Sequence, residues 1–143
     1  MSTSIPIIEL CGNLIVSIQV ELSDRLVLDL KRDIAREIQS RPVTGLIIEV
    51  SGVDILDTFI ARSVQEMVQI AKLMGVRAVL AGLDPAMAIT LVEMGMVLVE
   101  VETALDLEHA IEVLSGRPQV HGRAMETDRM EGGPLPGGGA LQA

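Results

Sequence analysis

Apolar residues recur along the chain in short strand-like runs, which alternate with segments of helical spacing. The runs IPIIELCG and NLIVSIQVE predict two strands that form a hairpin around Gly12-Asn13. Residues 23–41 carry apolar side chains three and four positions apart, which predicts a helix. Ser23 or Asp24 would cap this helix, and Pro42 lies beyond its end.

The rest of the chain continues to alternate short strands with helices. The predicted strands are TGLIIEV, VRAVLAG and VLVEV. One predicted helix runs from Asp57 to Met74, a second lies within DPAMAITLVEMG, and a third lies within TALDLEHAIEVL. Thr103 would cap this last helix, with Asp106 three residues further on. The order β-β-α-β-α-β-α-β-α predicts a single α/β domain, with a mixed, mainly parallel sheet and about four packed helices.

The last part of the chain has a different composition. Residues 116–143 are rich in Gly and Pro and end in GGPLPGGGALQA, with no periodic apolar pattern. Such a segment cannot bury enough apolar area to offset the entropy lost on ordering. We therefore predict a folded domain over residues 1–115 and a disordered, flexible tail over residues 116–143.

Charge and composition narrow the classes of partner. The net charge is −9 and aromatic residues make up 1% of the chain, so neither phosphate binding nor base stacking is favoured. Proteins with basic surfaces are the expected partners, not nucleic acid or membrane. No apolar run is long enough to span a bilayer, and no signal peptide is expected. Cys11, the single cysteine, is predicted to be a small core residue on a strand, which suits a cytoplasmic protein.

The stretch VDILDTFIAR, residues 53–62, places two carboxylates and a hydroxyl at the start of the second predicted helix. Asp57 is predicted as the N-cap, with Thr58 in the first helical position and Asp54 three residues before the cap. The helix then has an apolar stripe that should face the sheet: Ile60, Val64, Met67, Ala71 and Met74. The opposite stripe is polar and should face solvent: Thr58, Arg62, Gln65, Gln69 and Lys72.

Thr58 has three readings on this evidence. It could simply occupy a helix start, it could be a nucleophile, or it could be modified by another enzyme. A nucleophile needs an activating base, and the two histidines, His109 on the last helix and His121 in the predicted tail, are not placed to serve it. A metal site at Asp54 and Asp57 lacks further ligands. The sequence predicts no catalytic residue, no metal and no cofactor.

Four stretches together resemble the STAS domain family (sulphate transporter and anti-sigma factor antagonist) over roughly residues 5–114. They are LIVSIQVELSD, VDILDTFIAR, KLMGVRAVLAGLDPAMAITLVEMG and ETALDLEHAIEVL. SIQVELSD and ETALDLE are similar to the RsbS-type scaffold proteins of the stressosome within that family. The resemblance implies a STAS-like fold without enzymatic activity and a role in the stress response.

The resemblance also implies a phosphorylation site. In the family, a partner Ser/Thr kinase of the switch-kinase type modifies the hydroxyl that follows the helix-opening Asp, which is Thr58 here, where RsbS-type proteins usually carry Ser. Thr90 is a second candidate. The implied partner-binding surface consists of Asp54, Asp57, Thr58, Phe59, Arg62 and Gln65. The implied assembly is a large homo- or hetero-oligomer with paralogous STAS scaffold proteins. The alternatives are a simple anti-sigma factor antagonist that binds an anti-sigma kinase, and a small hydrolase with Thr58 as nucleophile.

Overall fold

The computed structural model describes residues 4–95 and 101–116. Within them the elements follow the predicted order, five strands and four helices. The strands are β1 (Ile7–Leu10), β2 (Asn13–Ser17), β3 (Gly45–Glu49), β4 (Arg77–Ala81) and β5 (Glu102–Ala104). The helices are α1 (Asp24–Ser40), α2 (Thr58–Leu73), α3 (Pro85–Glu93) and α4 (Leu107–Ser115).

The five strands form one sheet in the order β1-β2-β3-β4-β5. β1 pairs with β2 antiparallel, and every later pair is parallel. The mixed, mainly parallel sheet that the sequence predicts is therefore confirmed. Parallel pairing brings the carboxyl ends of β2, β3 and β4 to the same end of the sheet. The loop that leads from β3 into α2 starts at this end.

Helices cover both faces of the sheet. Helices α1 and α2 pack on one face, where Leu30, Ile34 and Met67 meet Leu46 and Ile48 from the sheet in the larger apolar core. Helix α4 packs on the other face against β3, β4 and β5 in a smaller cluster. With 27 apolar residues buried among those described, an aliphatic core forms without aromatic side chains.

For three of the four helices, the observed N-cap is one that the sequence predicted. The hydroxyl of Ser23 accepts a hydrogen bond from the backbone N–H of Leu26, so Ser23 caps α1. Asp84 caps α3 with Pro85 in the first turn, as predicted. The prediction for α4 was wrong, because Thr103 lies in β5 and Asp106 is the N-cap.

The hairpin turn is shifted by one residue from the prediction. Cys11 and Gly12 form the turn, with φ of 56° and 80°, and Asn13 is the first residue of β2. Positive φ at both turn residues is the geometry of a type I′ hairpin turn. The side chain of Asn13 is buried and within hydrogen-bond distance of the Thr44 hydroxyl, 2.9 Å away. Cys11 is exposed, so its predicted place in the core was wrong.

Parts of two predictions lie outside the described residues. Of the predicted strand VLVEV, residues 97–100 are not described, and the described edge strand β5 begins after it at Glu102. The predicted tail lies outside the description from residue 117 onward, so the boundary near residue 116 remains a prediction. Among the helices described, none has both the length and the apolar character needed to cross a membrane.

Candidate functional site: the start of helix α2

The loop after β3 delivers Asp57 and Thr58 to the start of α2. The Asp57 backbone is extended, and its carboxylate accepts a hydrogen bond of 2.9 Å from the N–H of Ile60. Asp57 is therefore the N-cap and Thr58 is the first helical residue, as the sequence predicts. The helix N-terminus carries a partial positive charge, which the cap carboxylate partly neutralises.

The hydroxyl of Thr58 lies beside the residue that ends α3. Its Oγ1 donates to the Sδ atom of Met94 at 3.4 Å, a weak bond to the residue that ends α3. Thr58 itself is exposed. Within residues 4–95 and 101–116, another protein could therefore reach this hydroxyl without breaking a strong hydrogen bond.

The structure brings the residues of the predicted partner surface together around Thr58. Asp54, Asp57 and Arg62 are exposed, Phe59 is 36% exposed, and Gln65 is half-buried. Of the apolar stripe of α2, Val64, Met67 and Ala71 are buried as predicted and Ile60 is partly buried against the same core. Met74 is the C-cap and is 40% exposed, so its predicted burial was wrong.

A shallow groove of about 410 Å³ runs beside the start of α2. The loop after β2 forms one wall and the loop after β3 forms the other, and three carboxylates line it, those of Glu21, Asp54 and Asp57. Exposed apolar side chains also line it, including Ile55, which is 75% exposed. The groove thus combines negative charge with apolar surface, a combination suited to a basic and partly apolar protein segment.

Sequence reasoning missed the part of this groove that comes from residues 19–22. These residues are far from Thr58 along the chain, but Ser17 in β2 is the register partner of Glu49 in β3. The N–H of Ile18 then donates to the carbonyl of Glu49 at 2.9 Å. The carboxyl ends of neighbouring parallel strands lie side by side in a sheet. This rule could have predicted that Glu21, in the loop after β2, lies near the start of α2.

Two further residues that the sequence analysis considered, Thr90 and His109, make hydrogen bonds within their own segments. The hydroxyl of Thr90 donates to the carbonyl of Ala86 at 2.9 Å, one helical turn back. His109 lies in α4, on the opposite face of the sheet, and its Nδ1 accepts a bond of 2.9 Å from the N–H of Leu105. In the part of the chain that the structure describes, no group of three or more His, Cys, Asp or Glu side chains could hold a metal ion.

The cap bond gives a prediction for Asp57. Asp57→Ala removes the acceptor for the Ile60 N–H, so we expect the free energy of unfolding to fall by about 0.5–2 kcal/mol. Asp57→Asn retains an oxygen that can accept the same bond and should keep most of this stability. A denaturant titration of both variants measures the difference, and equal losses would show that Asp57 does not act as a cap.

Residues 4–110 match the STAS domain family. The match covers most of the chain, which therefore belongs to the STAS domain family and has the fold of the anti-sigma factor antagonists.

Several curated proteins of Bacillus subtilis (strain 168) are similar in sequence, and YezB and RsbRB are two of them. The uncharacterized protein YezB is 35% identical over 77 residues, which are 54% of this chain and 79% of YezB. The RsbT co-antagonist protein RsbRB is 38% identical over 56 residues, which are 39% of this chain but only 20% of RsbRB. The similarity to RsbRB thus covers a small part of that longer protein.

Solved structures of stressosome proteins are similar in both fold and sequence. A serine-to-glutamate variant of RsbS from Moorella thermoacetica has a TM-score of 0.69 and 34% identity, over 79% of this chain and 96% of that chain. A chain of the stressosome, a signal integration and transduction hub, has a TM-score of 0.70 and 34% identity, over 77% and 96% of the two chains. The unphosphorylated anti-sigma factor antagonist SpoIIAA, at 16% identity and a TM-score of 0.62, shares the fold alone.

Proposed function

We propose that this protein is a non-enzymatic phospho-switch and scaffold of a stressosome-like signalling complex. The unphosphorylated form binds a Ser/Thr switch kinase, and phosphorylation of Thr58 releases that kinase. The observation that carries the proposal is the exposed Thr58 at the first position of α2, whose hydroxyl donates to the Met94 sulfur and to no other acceptor recorded among the described residues.

The position of Thr58 suits it to act as a switch. A phosphate adds a charge of about −1.5 to −2 at neutral pH. The N-terminus of α2 stabilises part of this charge, while the nearby carboxylates of Asp54 and Asp57 oppose it. A kinase docked over Thr58 would have to bury this charge against the acidic groove, so its affinity falls and it dissociates.

The similar proteins support the scaffold part of the proposal. RsbS and the stressosome chain have the same fold at 34% identity, and RsbRB is named as a co-antagonist of RsbT. We infer that this chain assembles with itself and with paralogous STAS scaffold proteins into a large cytoplasmic complex. An assembly of this kind presents many copies of the Thr58 surface to the kinase at once.

A simple anti-sigma factor antagonist is the second candidate, and the shared fold with SpoIIAA favours it. Such a protein would bind an anti-sigma kinase directly and remain small. Hydrolysis with Thr58 as nucleophile has no support from the described residues, because the hydroxyl bonds to a thioether and His109 lies on the other face of the sheet.

A pull-down with the unmodified protein as bait tests the proposal and separates the candidates. Mass spectrometry of the captured proteins should identify one Ser/Thr kinase together with a STAS paralogue, and native size measurement of the mixture should give a very large particle. Capture of an anti-sigma kinase in a small complex would favour the second candidate. Capture of no kinase would contradict both.

The tail is not needed for this function in our account. Residues 118–143 are rich in Gly and Pro and lack a periodic apolar pattern. We expect their deletion to leave the melting temperature and kinase capture essentially unchanged, because little apolar area is lost. Thermal unfolding and the pull-down check this. A fall of many degrees would show that the tail packs on the domain, with Leu135 and Leu141 as the first candidates for its contacts.

A further inference from the structure

Arg62 is the only cation of the predicted partner surface, and it lies on the exposed side of α2. Most other arginines of the described chain pair with a carboxylate: Arg25, Arg36, Arg41 and Arg77. Within residues 4–95 and 101–116, Arg62 forms no ion pair of this kind. Its guanidinium is therefore available to an anionic group that the unmodified domain does not supply.

Thr58 and Arg62 are neighbours on the surface of this helix. They lie four residues apart, a spacing that puts two side chains on the same face with Cβ atoms about 5–6 Å apart. Helical side chains point back toward the N-terminus, so the long side chain of Arg62 extends over the turn that Thr58 begins. A negative group four residues before a positive one is also the favourable order for a helical ion pair. A phosphate on Thr58 would therefore lie within reach of Arg62.

The other surroundings of Thr58 direct a phosphate toward Arg62. The three carboxylates that line the groove beside α2 repel a phosphate dianion. The start of the helix already holds an anion, because the carboxylate of Asp57 accepts the N–H of Ile60 at 2.9 Å. Esterification also removes the proton that Thr58 Oγ1 donates to Met94, so this contact no longer holds the side chain. Repulsion from the groove and attraction to the guanidinium thus act in the same direction.

We propose that Arg62 couples phosphorylation of Thr58 to release of the kinase by exchanging one anionic partner for another. In the unmodified protein, the guanidinium binds a carboxylate on the surface of the docked kinase. The kinase transfers the γ-phosphoryl group of ATP to the Thr58 oxygen, ADP leaves, and the hydroxyl proton passes to a base on the kinase. The new phosphate then accepts hydrogen bonds from Arg62, and the kinase carboxylate loses its partner.

This exchange rests on the proposed function and adds a second cause of release. A kinase carboxylate that stays in the interface without a partner is costly to keep away from water. Arginine suits the role, because its planar donor fork binds carboxylate and phosphate alike in bidentate geometry. We therefore expect the kinase to present two opposite charges to this surface, a base to the acidic groove and a carboxylate to Arg62.

Phosphorus NMR of the phosphorylated full-length protein tests the ion pair directly. Wild type and Arg62→Gln are phosphorylated to completion with ATP and an excess of the captured kinase, and the phosphate resonance is followed against pH. Loss of the guanidinium should raise the midpoint of this titration by about 0.2–0.4 pH units, because a helical ion pair of this spacing favours the dianion by that amount. Arg32→Gln is the matched control, since Arg32 is exposed on α1 and has no recorded carboxylate partner among the described residues. Its midpoint should equal that of the wild type.

Titration of the kinase by calorimetry tests the exchange of partners. Arg62→Gln should weaken binding of the unmodified form by about tenfold. Arg62→Lys, which keeps the charge but not the planar fork, should weaken it less. In Arg62→Gln, the factor by which phosphorylation weakens binding should be at least about three times smaller than in the wild type. Circular dichroism checks that α2 is intact in each variant.

The outcomes separate this inference from the proposed function. Equal titration midpoints for wild type and Arg62→Gln would overturn the exchange and leave Thr58 as the switch. An Arg62→Gln protein that binds the kinase as tightly as the wild type, or that loses as much affinity on phosphorylation, would do the same. Failure of the captured kinase to phosphorylate Thr58 in the wild type would instead contradict the proposed function, and the exchange with it.

Discussion

Replacing Thr58 by Ala is expected to abolish phosphorylation by the switch kinase while the protein still captures that kinase. The change removes the only group that we assign to the modification and leaves the Asp57 cap bond in place. Ala is a good helix former, so α2 should remain intact. Incubation with the captured kinase and ATP, followed by peptide mapping, measures the loss of phosphate.

Matched variants separate the hydroxyl from its surroundings. Thr58→Ser should be phosphorylated like the wild type, and Thr90→Ala should be too, since the Thr90 hydroxyl is bonded within α3. Thr58→Glu should lower the affinity for the kinase by about tenfold or more, which corresponds to about 1.4 kcal/mol, because a docked kinase would bury the added carboxylate beside those of Asp54 and Asp57. Full phosphorylation of intact Thr58→Ala would mean that the site is misassigned.

Replacing Met67 by Ala is expected to cause the largest loss of stability. Met67 is fully buried where α2 packs on the sheet. Truncation of such a side chain leaves a cavity and costs about 2–5 kcal/mol. A domain of this size has a total stability of about 5–15 kcal/mol, so the variant should unfold at a much lower denaturant concentration. The switch surface depends on α2 and should be lost with it.

Two controls make this result specific. Gln69→Ala changes an exposed residue on the other side of α2 and should shift the free energy of unfolding by no more than about 0.5 kcal/mol. Met67→Leu nearly conserves the volume and should cost less than about 1.5 kcal/mol. If Met67→Ala were no more harmful than Gln69→Ala, then α2 would not pack on the sheet through the face described.

The element order and the Asp57 cap could be predicted because each depends on residues close together in the sequence. The predicted cap at Thr103 and the predicted turn at Asn13 were wrong for the same reason, because each residue interacts with a residue far away in the sequence. Thr103 resembles a helix cap locally, but it is the register partner of Leu80, and this pairing draws it into β5. Asn13 resembles a turn residue, but its side chain meets Thr44, 31 positions away, and it begins β2.

The candidate site was predictable only in part for the same reason. The residues from Asp54 to Gln65 are continuous or helical in spacing, so their positions relative to Thr58 follow from the sequence, while their role as a partner surface stays a prediction. The acidic wall from Glu21 and the contact with Met94 depend on strand pairing and on the packing of α3, neither of which leaves a local pattern.

The most direct test of the central claim compares kinase binding before and after phosphorylation of the wild-type protein. The kinase recovered in the pull-down is titrated with unmodified protein and with protein phosphorylated on Thr58, by calorimetry at one salt concentration. Our account predicts tight binding to the unmodified form and at least about tenfold weaker binding to the phosphorylated form, the ratio that corresponds to about 1.4 kcal/mol. Equal affinity for the two forms would contradict it.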